Sequence, residues 1–298
     1  MDDKRIDPET PASRFATHKG PLAAERVMAV PVGAIPIDAT LPAGAHLVDA
    51  LASLLEHCNV ESAALTMSGG SFGPFAYVIP GLSPDGSQVA FYSETFRPPG
   101  PIRLDVAAVT VGTKAGAPFF HCHALWTEAG GRTGCGHVLP DETVIASPIA
   151  VRGAGIVGAR FEVTPDPETG FSLFMPHATG TTRPEAATPA LAIRLAPNQD
   201  LIETLERTGR QAGFRRAVLH GGVASTNQAR FIDAPPIEGF ATELLVRRGT
   251  VRCATDAGAA TELDIVIVDH TGAIGAGRLA PGDNPVLMTF EGVLQAAP

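Results

Sequence analysis

The stretch Phe120-His121-Cys122-His123-Ala124, followed beyond a short polar turn by Gly134-Cys135-Gly136-His137, decides how this chain is read. Three of its nine histidines fall between positions 121 and 137, as an H-x-H pair and a third His after the turn. The intervening Glu128-Ala129-Gly130-Gly131-Arg132 is turn-like and flanked by apolar residues, which predicts a β-hairpin. Side chains alternate along a strand, so His121 and His123 share one face and Cys122 takes the other. If odd positions oppose odd positions across the hairpin, His137 lies opposite His123 or His121 on that same face. Opposed Cβ atoms sit about 4.5–5.5 Å apart, so three imidazoles would reach one ion. The spacing therefore predicts a metal site at His121, His123 and His137, with Cys135 on the same face as an extra ligand in reserve. H-x-H pairs also arise by chance, and a one-residue bulge would turn His137 away.

These residues carry a family resemblance as well. An apolar strand, H-x-H, a small-residue turn and then a glycine-rich G-H followed by an aliphatic residue resembles the PPC domain. That is the plant and prokaryote conserved domain, associated in plants with AT-hook DNA-binding motifs. Upstream, Leu41-Pro42-Ala43-Gly44 and the run from Leu47 to Leu55 resemble the family's P-G-x-x-L-x-x-x-L helix. Ala64-Leu65-Thr66-Met67-Ser68-Gly69-Gly70-Ser71 resembles its strand ending in a G-S turn. The resemblance spans roughly residues 27–178, and Cys135 departs from it by replacing the first Gly of the usual G-G-H. It implies an α+β domain with a mainly antiparallel sheet, a tendency to trimerise, and metal binding at His121, His123 and His137.

The second half of the chain repeats the first with its chemistry removed. Thr133-Gly134-Cys135-Gly136-His137-Val138-Leu139-Pro140 aligns with Ile274-Gly275-Ala276-Gly277-Arg278-Leu279-Ala280-Pro281, and Met67-Ser68-Gly69-Gly70 with Leu219-His220-Gly221-Gly222. Glycines and prolines at corresponding places mark corresponding turns. At the metal positions the repeat carries Glu262, Asp264 and Arg278; an Arg cannot ligate a cation, so this copy is expected to hold none. The expected organisation is two tandem PPC-like domains, each a mainly antiparallel sheet with flanking helices. Residues 1–25 form a loosely ordered N-terminus, 26–178 the His-bearing domain, 179–189 a Pro-punctuated linker and 190–298 the degenerate domain.

Composition sets the class. The chain has 298 residues, 45% hydrophobic and 18% charged, with 32 glycines and 26 prolines, which suits two globular, turn-rich domains. A net charge of −9, with no R-G-R-P hook and no basic cluster beyond pairs such as Arg215-Arg216, argues against direct nucleic-acid binding. Cys58, Cys122, Cys135 and Cys253 lack the spacing of a disulfide scaffold, which points to a cytoplasmic protein. No signal peptide or membrane span is expected.

Two further motifs read as turns. Gly153-Ala154-Gly155-Ile156-Val157-Gly158 matches a dinucleotide fingerprint, yet the residues after it, Ala159-Arg160-Phe161-Glu162-Val163, are strand-like rather than helical. Gly69-Gly70-Ser71-Phe72-Gly73 matches a nucleophile elbow, yet Pro74 and an apolar run come next. The function expected is metal binding by one divalent ion per chain, with zinc the first candidate and a small-molecule ligand or metal-dependent catalysis as its use. Glu94, Asp105, Glu128 and Asp141 are the acid–base candidates nearby. The alternatives are a DNA-binding regulatory protein without an AT-hook and a metal-stabilised structural oligomer. A homotrimer is favoured over a dimer, with the surfaces around Trp126 and Phe119 as candidate contacts.

Overall fold

The computed structural model describes residues 14–256 and 258–297. Its first half contains β1 (Val27–Leu41), α1 (Leu47–Cys58), β2 (Ser62–Ser68), β3 (Ile102–Lys114), β4 (Ala117–Thr127), β5 (Thr133–Val138) and β6 (Ile149–Val157). A hairpin of β7 (Ala159–Pro165) and β8 (Ser172–Ala178) comes next. The second half contains β9 (Thr188–Leu195), α2 (Leu201–Gln211), β10 (Arg216–Thr226), β11 (Thr242–Arg252), β12 (Glu262–Asp269), β13 (Ile274–Arg278) and β14 (Val286–Ala296). Short strands at 71–72, 77–78 and 145–147 complete the first half's edge.

Strand pairing is antiparallel almost throughout. In the first half β1 pairs with β6, β6 with β2, β2 with β3, β3 with β4 and β4 with β5. In the second half β9 pairs with β14, β14 with β10, β10 with β11, β11 with β12 and β12 with β13. The long β1 joins the two: Val27–Ala34 pair with β9, and Gly33–Leu41 with β6. The exception is a parallel contact of β7 with β3. A β-rich fold with two helices among the described residues results.

Each half has its own core. In α1 the buried Leu47, Ala50, Leu51 and Leu54 follow the i, i+3, i+4, i+7 rule, and Asn59 ends the helix in the left-handed conformation (φ 52°). In α2, Asp200 caps the Glu203 N–H at 2.9 Å, and Leu201, Ile202 and Leu205 turn inward. The first core holds Leu65, Met67, Phe72, Phe120 and Trp126; the second holds Leu244, Ile265, Phe290 and Leu294. A smaller apolar cluster of Ala108, Cys135, Val223, Leu245, Val266 and Val268 seals one half against the other. Trp126 is fully buried in its own half, stacked edge-on against Phe75 and Tyr77, so the contact surface expected around it does not exist as an outer face. Phe119 packs against Phe174.

Residues 1–13 of the expected N-terminal tail lie outside the described residues. Residues 14–25 have no regular secondary structure but are anchored on both halves: Ala16 N–H donates to Asn198 Oδ1 at 2.8 Å and Ala23 N–H to a Glu168 carboxylate oxygen at 3.0 Å. The fingerprint-like glycine run lies mostly within β6 and turns only at Gly158, with β7 and no helix after it. Gly69 and Gly70 (φ 68° each) make the other turn, and Ser71 Oγ is hydrogen-bonded to Ser147 Oγ at 2.7 Å. No helix among the described residues is long and apolar enough to cross a membrane.

Candidate metal centre

Strand alternation places the histidines. Along β4, Phe120, Cys122, Ala124 and Trp126 face their own core, while Phe119, His121, His123 and Leu125 face the opposite way. That second face lies against β11 and β14. On β5 the same parity holds, with Gly134 and Gly136 passing close to Trp126 and Tyr77, and Cys135 and His137 turned to the other side. The β4–β5 register pairs His123 directly with His137 and Leu125 with Cys135, without a bulge. The three histidine rings lie with centroids 4.7 Å (121–123), 4.9 Å (121–137) and 5.4 Å (123–137) apart. One nitrogen from each lies within 4.8 Å of the others, a spacing that could hold a metal ion.

The second half sets the tautomers of two rings. His123 Nδ1 is 2.8 Å from the Leu244 carbonyl, which can only accept, so Nδ1 carries the proton and Nε2 the lone pair. His121 Nδ1 meets the Glu291 carboxylate on β14. Its Nε2 then faces His123 Nε2 at 3.1 Å. Two lone pairs at that distance repel unless a cation lies between them: a proton on one ring, or a metal ion shared by both. Burial holds His123 and His137 well below the ordinary imidazole range, which favours the neutral, ligating form. The residues present therefore fit a divalent cation.

Support for His121 extends inward. Thr289 Oγ1 is 3.5 Å from the second Glu291 oxygen and accepts from Arg194 Nε at 3.3 Å. Arg194 in turn donates to Asp166 at 2.9 Å, with both side chains at most 3% exposed. Such outer partners orient a ligand ring and raise its basicity.

A second acidic group, Glu243 on β11, faces the cluster. Its Oε1 is 3.8 Å from His123 Nε2 and 3.9 Å from His137 Nδ1, beyond hydrogen-bond reach. Glu243 Oε2 and His137 Nδ1 are buried without a hydrogen-bond partner. Burial lifts the Glu243 carboxyl from 4.5 to about 8. A cavity of about 50 Å³ adjoins, lined by Tyr92, Phe171, Leu287, Met288 and the rings of His121 and His123. At roughly 10–15 Å³ per water, that is space for an ion and a very small ligand. A larger depression of about 720 Å³ lies elsewhere, between α1 and the 181–184 segment, and gathers no cluster of ligating side chains among the described residues.

Cys135 is not part of the cluster. It sits two pairs along the hairpin, packed among Val223, Leu245 and Val266, and burial pushes its thiol far above the usual value. The acid–base candidates near the hairpin are also elsewhere: Asp105 bonds Arg103 and Thr127, Glu128 bonds Arg132, and Glu94 and Asp141 are exposed. The acidic groups that matter, Glu243 and Glu291, come from the second half. Their signal in the sequence is an acid set inside an apolar strand, as in Thr242-Glu243-Leu244-Leu245-Val246 and Phe290-Glu291-Gly292-Val293. At the second half's hairpin, Arg278 pairs with Asp233 at 2.9 Å and Glu262 at 3.3 Å, and Asp264 pairs with Arg247.

About half of the chain is similar to solved PPC-domain structures. A PPC protein of Pyrococcus horikoshii matches 48% of this chain and 94% of its own, at 16% identity and a TM-score of 0.39. A metal-containing protein of Archaeoglobus fulgidus matches the same shares at 20% identity and 0.38. A Ralstonia eutropha protein with a provisional DNA-binding name matches 46% of this chain and 89% of its own, at 18% and 0.34. No family model and no curated protein matches the chain.

Proposed function

We propose that this chain binds one divalent metal ion at His121, His123 and His137, with zinc the first candidate. The observation that carries the reading is the pair of Nε2 atoms at 3.1 Å, one forced by the Leu244 carbonyl and the other by Glu291 to point its lone pair at the same spot. Three neutral imidazoles suit zinc and leave room for a further donor. A bound ion supplies Lewis acidity at the mouth of the small cavity, where a compact ligand with one donor oxygen fits. Whether that Lewis acidity is used for catalysis or the ion only ties structure together is decided by exchange of a small ligand at the ion.

The second half is, on this reading, a PPC-like copy that has lost its ligands. It is retained because Leu244 and Glu291 set the ring tautomers of the first. The equal pairing order of the two halves supports that reading. Assembly as a homotrimer is part of the proposal, and a solution mass near the single-chain 30.8 kDa refutes it. Direct DNA binding is the weaker alternative, since a net charge of −9 offers no counterion release. Tight, salt-sensitive binding in a mobility-shift assay would reverse that ranking. Elemental analysis of untagged protein tests the main proposal: close to one ion per chain is expected, and a value near zero overturns it.

A further inference from the structure

Glu243 is a buried carboxyl group with nothing to hold it. It sits on β11 at 6% exposure, its Oε2 has no partner, and the groups nearest Oε1 are the His123 and His137 rings at 3.8 and 3.9 Å, beyond hydrogen-bond reach. A buried acid left unpaired is costly, and in native proteins it marks a missing partner or a chemical task. The other buried acid at the centre, Glu291, is already committed to His121 Nδ1. Glu243 is uncommitted, and it lines the same cavity as His121 and His123.

The geometry decides what its partner is. Nitrogens bound to one tetrahedral ion at about 2.0–2.1 Å stand roughly 3.3–3.4 Å apart. The two Nε2 atoms at 3.1 Å are close to that spacing. Glu243 Oε1, at 3.8 Å from His123 Nε2 and 3.9 Å from His137 Nδ1, is about half an ångström beyond that spacing from these two rings. The carboxylate stands outside the 4.8 Å cluster that includes His121, so it reaches the ion only by swinging inward, which an unanchored side chain does by rotation. Charge points the same way. A divalent ion on three neutral rings keeps its full charge in a buried place, whereas Glu243 as a ligand and Glu291 behind His121 together neutralise it.

We propose that Glu243, a residue of the second half, is the fourth ligand of the ion, so that the metal ties β4 and β5 of one half to β11 of the other. The inference rests on the three-histidine reading above. Its test uses the full chain, stripped with a chelator and titrated with Zn²⁺ in competition with a chromophoric chelator, and with Co²⁺ followed by visible absorption. Glu243→Gln is expected to weaken binding by ~10–100-fold or more and to alter the Co²⁺ spectrum. Glu243→Asp, which keeps the charge but withdraws it by one methylene, is expected to fall between and serves as the test if the Gln variant does not fold. Affinity and spectrum unchanged in the variants overturn Glu243 as a ligand and leave the histidine site standing. Failure of the unsubstituted chain to bind either ion overturns the histidine site itself, and this proposal with it.

Discussion

The hairpins β4–β5 and β12–β13 hold the same place in the pairing order of their halves, yet they present opposite chemistry. In the first, His123 and His137 are directly paired and their side chains are 2% and 13% exposed. In the second, Asp264 pairs with Arg278 in the same manner, but Glu262 and Arg278 are 57% and 43% exposed and end in surface ion pairs. The two ladders are alike; the difference lies in what covers them. The histidine face lies against β11 and β14, which bring a carbonyl, two carboxyl groups and an apolar seal. The other face meets the 229–237 segment and solvent, where charges need only each other. The first hairpin thus gathers a cluster that could hold a metal ion on a face buried by groups that fix the ring protons, and the second leaves its charged side chains to pair at the surface.

The comparison breaks most visibly at His123. His123→Ala should reduce ion binding below detection at micromolar protein while far-UV circular dichroism stays native, since the second hairpin forms without histidines. The stabilisation that the unsubstituted chain gains from metal, about 2.7 kcal/mol at a hundredfold excess over Kd, should vanish with it. Loss of soluble protein instead would make the residue structural.

A smaller effect separates the return strands. A Cβ on Gly136 would lie 2.5 Å from the Val78 backbone carbonyl, whereas one on Gly277 would meet the Asp233 side chain at 2.9 Å. Gly136→Ala is therefore expected to cost about 1–3 kcal/mol in urea melts and Gly277→Ala visibly less, because a side chain moves aside more cheaply than a paired strand. An equal cost would mean the two crossings are equally tight.

pH sharpens the contrast further. Folded, metal-free protein keeps Glu243 protonated up to about 8, while the unfolded chain releases that proton near 4.5. The folded state binds more protons, so this group's contribution to stability falls as pH rises through that window, by up to about 1.4 kcal/mol per pH unit. His123 and His137 act in the opposite sense, because rings held neutral lose stability as pH falls below 6.5. The difference between the unsubstituted chain and Glu243→Gln isolates the acid, and a flat difference would show it ionised in the metal-free fold. The smallest change is expected from installing histidines in the other hairpin. Glu262→His, Asp264→His and Arg278→His together should leave the stoichiometry at one ion per chain; two ions would show that the hairpin suffices alone.

Much of the site is legible in the residues. The period-two pattern across Phe119–Trp126 and the glycine-rich turn point to the hairpin and to the shared face of His121 and His123, because strand alternation is set locally. Whether His137 faces His123 or His121, and whether a bulge intervenes, is settled only by the observed register. The same parity misplaces Cys135: sharing a face is not sharing a site, since two pairs along a strand is about 6.6–6.8 Å away. The subunit-contact surface expected around Trp126 is likewise missing, because Phe75 and Tyr77 close over the ring.

By itself, the sequence determined the hairpin with its three histidines, the matching glycine punctuation of the two halves and an acidic chain without a nucleic-acid stripe. It did so because turns, alternation and net charge depend on neighbours along the chain. Only the tertiary structure decided that Leu244 and Glu291, over a hundred positions downstream, set which nitrogens carry lone pairs. It also decided that Glu243 and Glu291, and not Asp105 or Glu128, are the acids beside the cluster. Proton positions and buried charge depend on what packs across a face, and that is fixed by how β11 and β14 dock on β4.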